Sequence, residues 1–128
     1  MPWFWLIPLF GALVVVAYCG IPVWLVIRQR HEAWHAGAPR GFLFTELGYR
    51  SRAGATAAPW DEGPGGTPDP DEQRRGFAAF RRAWAGSDAL DGVYIWNWYG
   101  YGGPATTGYT PRGKPAEQEV RQLLNDLQ

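Results

Sequence analysis

His31-Glu32-Ala33-Trp34-His35 has a spacing that would do chemistry on a helix. It sets two imidazoles one turn apart with a carboxylate between them, the H-E-x-x-H pattern of a zinc site with its own base. A catalytic zinc takes three protein ligands, and His31 and His35 are the only histidines in the chain. Ala38 and Gly41 stand where the longer form of the motif has Gly and His. Glu46 completes the set only if the Gly/Pro turn before it folds back. The reading retained is a solvated helix end. His31 and His35 are the metal-ligand candidates, and neither a metal nor any other cofactor is expected.

Composition narrows the classes further. Lys plus Arg and Asp plus Glu each number 12, so the net charge is zero and no nucleic-acid partner is expected. Cys19 is the single cysteine, which excludes an internal disulfide or a cysteine metal cluster. Eight tryptophans in 128 residues need a core, an interface or a partner to cover them.

The elements that must position these residues fall into two parts. Pro2 to Ile27 carries no charged side chain. As a helix, this run would be roughly 39 Å long, more than the roughly 30 Å of a bilayer interior. It has no basic start and continues past Cys19, which argues against a cleaved or lipidated leader. The expectation is a single transmembrane helix with a juxtamembrane extension over residues 1–36, partnered by the lipid bilayer. Trp3, Trp5 and Trp24, with Arg28 and Arg30, mark the membrane interfaces. The arginines follow the span, so the N-terminus is expected outside and the C-terminal part in the cytoplasm.

Residues 37–128 read as a small α/β segment. Phe42 to Leu47 is a strand, and Gly48 to Pro70 is a long Gly/Pro loop. Asp69-Pro70-Asp71-Glu72 opens a helix that carries Phe77, Phe80 and Trp84 and ends at Gly86. Val93 to Tyr99 is a second strand, aromatic and β-branched. Pro115 opens a last helix with the stripe Val120, Leu123, Leu124 and Leu127. This β-α-β-α order predicts a parallel arrangement.

Five stretches, taken in order, resemble a known family. They are Thr45-Glu46-Leu47-Gly48-Tyr49-Arg50-Ser51, Pro59-Trp60-Asp61, Asp71-Glu72-Gln73, Gly92-Val93-Tyr94-Ile95-Trp96-Asn97-Trp98, and Thr107 to Ala116. Together, over residues 41 to 127, they resemble the C-terminal end of glycoside hydrolase family 113, TIM-barrel enzymes related to endo-β-mannanases. The resemblance implies that the two strands are the last two of a (β/α)₈ barrel, an incomplete barrel here. It implies that Glu46 occupies the position of the catalytic nucleophile. It also implies that Trp96 or Trp98 forms a sugar-stacking platform, with Trp60 in the loop framing the cleft.

A retaining glycosidase needs two carboxyl groups about 5 to 5.5 Å apart. The family takes its acid/base from the fourth strand, which has no counterpart in this sequence. The first functional expectation is therefore a non-catalytic, single-pass accessory subunit. It would be a glycosidase-derived remnant held against other subunits of a membrane complex, photosynthetic or respiratory in type. Glu46 would then be a vestigial nucleophile. The alternative is a membrane-tethered, glycoside hydrolase-like carbohydrate-active protein whose barrel another chain completes. A zinc protein at His31 and His35 is the third reading.

Overall fold

The computed structural model describes residues 21–36 and 41–128. Its elements are α1 (Ile21–His35), β1 (Phe42–Leu47), α2 (Pro70–Trp84), β2 (Leu90–Ile95) and α3 (Pro115–Asp126). The two strands pair in parallel, with Phe42 opposite Leu90 and Leu47 opposite Ile95. The connection through α2 makes this a βαβ unit, as the alternation of elements requires.

α2 begins where the sequence signals it. The Asp69 side chain accepts a hydrogen bond from the Glu72 amide at 2.8 Å, and Pro70 opens the first turn. Its apolar stripe then faces the sheet. Phe77 and Phe80 are fully buried and Trp84 nearly so. Phe44 stands edge-on to both Phe80 (5.2 Å between ring centres) and Trp84 (5.4 Å). α3 closes the same layer with Ala116, Val120 and Leu123. Arg81 of α2 reaches Glu119 and Asp126 of α3, each at 3.3 Å. Leu124, expected in the apolar stripe of α3, is 39% exposed instead.

The side chains of β1 and β2 divide between two faces, with a register irregularity between Phe44 and Leu47 that leaves both Thr45 and Glu46 exposed. Phe42, Phe44, Leu47, Val93 and Ile95 pack into the core formed with the helices. Leu43, Thr45, Glu46, Tyr94 and Trp96 are exposed. Phe42 and Phe44 are thus half-buried on the core face, while Tyr94 and Trp96 are exposed.

Two elements differ from the sequence expectation. β2 runs over Leu90–Ile95, not Val93–Tyr99. It begins early because Leu90 pairs with Phe42 at the start of β1. It ends early because β1 ends at Leu47, whose carbonyl accepts the last ladder bond from the Trp96 amide at 2.8 Å. Aromatic propensity alone cannot extend a strand past its partner.

The second difference concerns the apolar run. Among the described residues, no helix is long and apolar enough to cross a membrane. The part of that expectation on residues 1–20 lies outside the described residues. α1 itself docks onto the α/β unit. The Arg28 guanidinium donates to the carbonyls of Ala83 (2.9 Å) and Ala85 (3.2 Å), satisfying the C-terminal end of α2. His31 stands edge-on to Phe42 at 4.6 Å, and Trp34 packs at 5.3 Å from the same ring.

Candidate functional site

In a parallel unit both strands deliver their C-terminal ends to one edge, and the loops that leave them share that edge. Glu46 lies at the end of β1 and is exposed. Trp96 follows the end of β2 and is 45% exposed, joined to Asn97 by a cis peptide bond. Gly48 lets these ends approach, because a Cβ there would collide with the Trp96 carbonyl oxygen. The strand ends thus set an exposed carboxylate and an exposed indole at one rim. Trp98 is 40% exposed, and the Tyr99 and Tyr101 rings beyond it are almost fully so.

The two loops at this rim are joined by a polar network that sequence reasoning did not find. The Ser51 amide donates to the Gly108 carbonyl at 3.1 Å. Arg50 donates to Thr107 O (3.2 Å) and to Gly63 O (2.6 Å). The buried Gln73 amide of α2 donates to the carbonyls of Tyr49 and Tyr109, both at 2.8 Å, and so ties the backbone of both loops to α2. The Tyr109 hydroxyl reaches Pro59 O at 3.1 Å. Arg52 binds Asp61 through both its carbonyl and its carboxylate. A segment whose Gly and Pro content reads as slack is therefore tied down at many points. The signal was present as two arginines just after a strand with acids nine and ten residues downstream.

This network decides the role of Asp61. Its carboxylate accepts from the Gly63 amide and from Arg52, which hold it below the usual range in that order of importance. A general acid needs the opposite shift, so Asp61 is poorly suited to pair with Glu46. Glu62, next to it, is exposed.

The H-E-x-x-H residues are committed elsewhere. Glu32 is paired with Arg28 at 2.7 Å and accepts from the Ser87 hydroxyl at 2.8 Å, and these bonds hold its carboxyl low. The His31 ring packs on aromatic edges, and burial lowers its pKa. Among the described residues, no group of three or more His, Cys, Asp or Glu could hold a metal ion. Arg30 is exposed on α1. The expectations for Trp3 and Trp5, and for the side chains of Trp24 and His35, lie outside the described residues.

Trp60 is 57% exposed in the loop leaving β1. A cavity of about 130 Å³, lined by Arg81, Trp84, Ser87, Asp88 and Leu90 among others, sits by the start of β2, at the other end of the strand. The rim bearing Glu46 and Trp96 is an open surface. One carboxylate beside aromatic faces can stack and hydrogen-bond a sugar, whereas glycosidic cleavage needs a second carboxyl facing the first.

The profile of Glycoside Hydrolase Family 113 matches residues 3–109. Among solved structures, the GH113 β-mannanase AaManA from Alicyclobacillus acidocaldarius, in complex with ManMIm, superposes with a TM-score of 0.73 at 27% identity. That match covers 87% of this chain and 37% of the mannanase. A GH113 β-1,4-mannanase complex gives a TM-score of 0.73 at 23% identity, covering 86% and 37%. A further GH113 β-1,4-mannanase structure gives 0.72 at 24% identity with the same coverage. No curated protein matches the chain. The chain therefore spans little more than a third of the length of the mannanases it matches, as a small α/β part of their TIM barrel.

Proposed function

The chain belongs to glycoside hydrolase family 113, and from that premise we propose that it is a carbohydrate-active part of a β-mannan-binding barrel. In this reading Glu46 stands at the nucleophile position and Trp96, Trp98 and Trp60 offer stacking faces. The supporting observation is the pairing of exposed Glu46 and exposed Trp96 at the C-terminal rim of two parallel strands. That is the rim where barrels of this class carry their sites. The mannanases it resembles support β-1,4-mannan as the polymer.

Glu46 would attack the anomeric carbon and form a glycosyl-enzyme, once a second carboxyl supplied by the other βα units protonates the leaving oxygen. The chain's own part is to offer the carboxylate and to orient the sugar on indole faces. Water later displaces Glu46, with the second carboxyl acting as base.

An accessory subunit of a membrane assembly draws its membrane part from the apolar run Pro2–Ile27 and its non-catalytic part from the missing second carboxyl. The family match begins at residue 3 and takes in that run, which favours the barrel reading. The test is co-expression of this chain with the part of a GH113 mannanase barrel that precedes the segment it matches, and assay of β-1,4-mannan cleavage. Cleavage that depends on both parts and disappears in Glu46→Gln is the expected result. Cleavage undiminished by Glu46→Gln, or none with a folded, associated pair, would contradict the reading.

A further inference from the structure

An exposed indole on a Gly/Pro loop would ordinarily lose binding energy to the cost of being ordered. Trp60 is built differently. It lies in a turn closed by the Asp61 amide donating to Ala58 O at 3.0 Å. On one side, Pro59 O accepts from the Tyr109 hydroxyl at 3.1 Å. On the other, Asp61 is gripped by Arg52, whose guanidinium donates to Asp61 O at 3.0 Å and Asp61 Oδ2 at 2.5 Å. The same guanidinium donates to Gly63 O at 3.0 Å and Gly65 O at 3.4 Å. Asp61 Oδ1 turns back to the Gly63 amide at 2.8 Å.

The loop is thus wrapped around one side chain. Arg52 is 9% exposed although it carries a charge. It spends its donors on three carbonyls and one carboxylate of the segment just after Trp60. Gly66 packs so closely that a Cβ there would press on the Arg52 stem. Above this clamp the Trp60 ring stays 57% exposed. A fixed backbone beneath an uncovered ring is the geometry of a stacking surface ordered before its ligand arrives.

We propose that Arg52 is a positioning residue that holds Trp60 as a pre-ordered stacking platform for a β-1,4-linked sugar chain. This rests on the carbohydrate reading above and adds the residue through which that platform is set. Arg52 touches no sugar itself. It acts by fixing the turn at Ala58–Asp61, so its effect must vanish when the Trp60 ring is absent.

A double-mutant cycle tests this. Mannohexaose is titrated calorimetrically onto the full 128-residue chain and onto its Trp60→Ala, Arg52→Ala and doubly substituted forms. Each single change is expected to weaken binding about tenfold, as loss of one aromatic contact does. The double variant is expected to bind no more weakly than Trp60→Ala alone. Arg52→Lys, able to satisfy part of the carbonyl cluster, should recover part of the affinity.

Additive losses of about a hundredfold in the double variant would overturn the proposal. So would unchanged binding in Arg52→Ala or in Trp60→Ala, either of which leaves the reading at Glu46 standing. If Arg52→Ala does not fold, Asp61→Asn removes only the carboxylate partner. It should give a smaller loss that is likewise absent on the Trp60→Ala background, and an additive loss would overturn the proposal. No binding by the wild-type chain would remove the carbohydrate reading and this inference with it.

Discussion

The two faces of the β1–β2 sheet share a backbone and have opposite fates. On one face Phe42, Phe44, Leu47, Val93 and Ile95 meet Phe80, Trp84 and the helical layer. On the other, Leu43 and Tyr94 are 54% and 64% exposed beside Glu46 and Trp96. Stability therefore comes from the helix side, while the open side is left without a packing layer among the described residues. A complete barrel would turn this open side inward.

The largest expected effect lies on the covered face. Phe80→Ala removes a fully buried ring that touches Phe44 and Trp84. It should cost about 3–5 kcal/mol in a chemical denaturation experiment. That is a large share of the roughly 5–15 kcal/mol available to a domain. A loss below about 1 kcal/mol would mean that the helical layer is not the seat of stability.

Lys114 gives an intermediate effect with a pH signature. It is 5% exposed at the N-terminal cap of α3, and its ammonium donates to Gly108 O at 3.3 Å. Burial lowers its pKa from 10.5 to about 8. Between those values the unfolded chain holds a proton that the folded chain has released, so stability rises with pH across this window. Below about 8 the burial penalty is present in full. Unfolding midpoints measured from pH 7.5 to 9.5 should show that rise. Lys114→Met should flatten it and stabilise the chain at pH 7 by about 1–2 kcal/mol. A falling profile, or one unchanged in the variant, would contradict the assignment.

The smallest effect is expected on the open face. Leu43→Ser and Tyr94→Ser should each change stability by no more than about 0.5 kcal/mol. A cost of about 2 kcal/mol for either would show that this face is covered in solution, and the contrast between the faces would fail.

Much of the covered face was legible in the sequence. The Asp69-Pro70 start, the Phe77, Phe80 and Trp84 spacing and the Pro115 start each appear where local chemistry placed them. The parallel pairing followed from the order of elements. The open face was legible only in part. Glu46 and Trp96 stand out through family resemblance, while the extent of β2 is not legible because Trp96, Trp98 and Tyr99 have strand propensity but no partner strand beyond Leu47. The ties through Arg50, Arg52, Gln73 and Tyr109 were missed because each spans between 9 and 57 residues to backbone acceptors. Periodicity has no means of registering such bonds. The apolar character of Pro2–Ile27 likewise suggested an anchor and concealed that α1, starting inside it, packs on β1 and α2 through Arg28, His31 and Trp34.

The central claim is that sugar is recognised at the rim where the two strands end. Amide shift mapping of the isotopically labelled 128-residue chain during titration with mannohexaose tests it most directly. The account predicts concentration-dependent shifts centred on Glu46, Gly48, Trp60, Trp96 and Trp98, with α2 and α3 unmoved. Shifts confined to the helical layer, or none at saturating sugar, would contradict it.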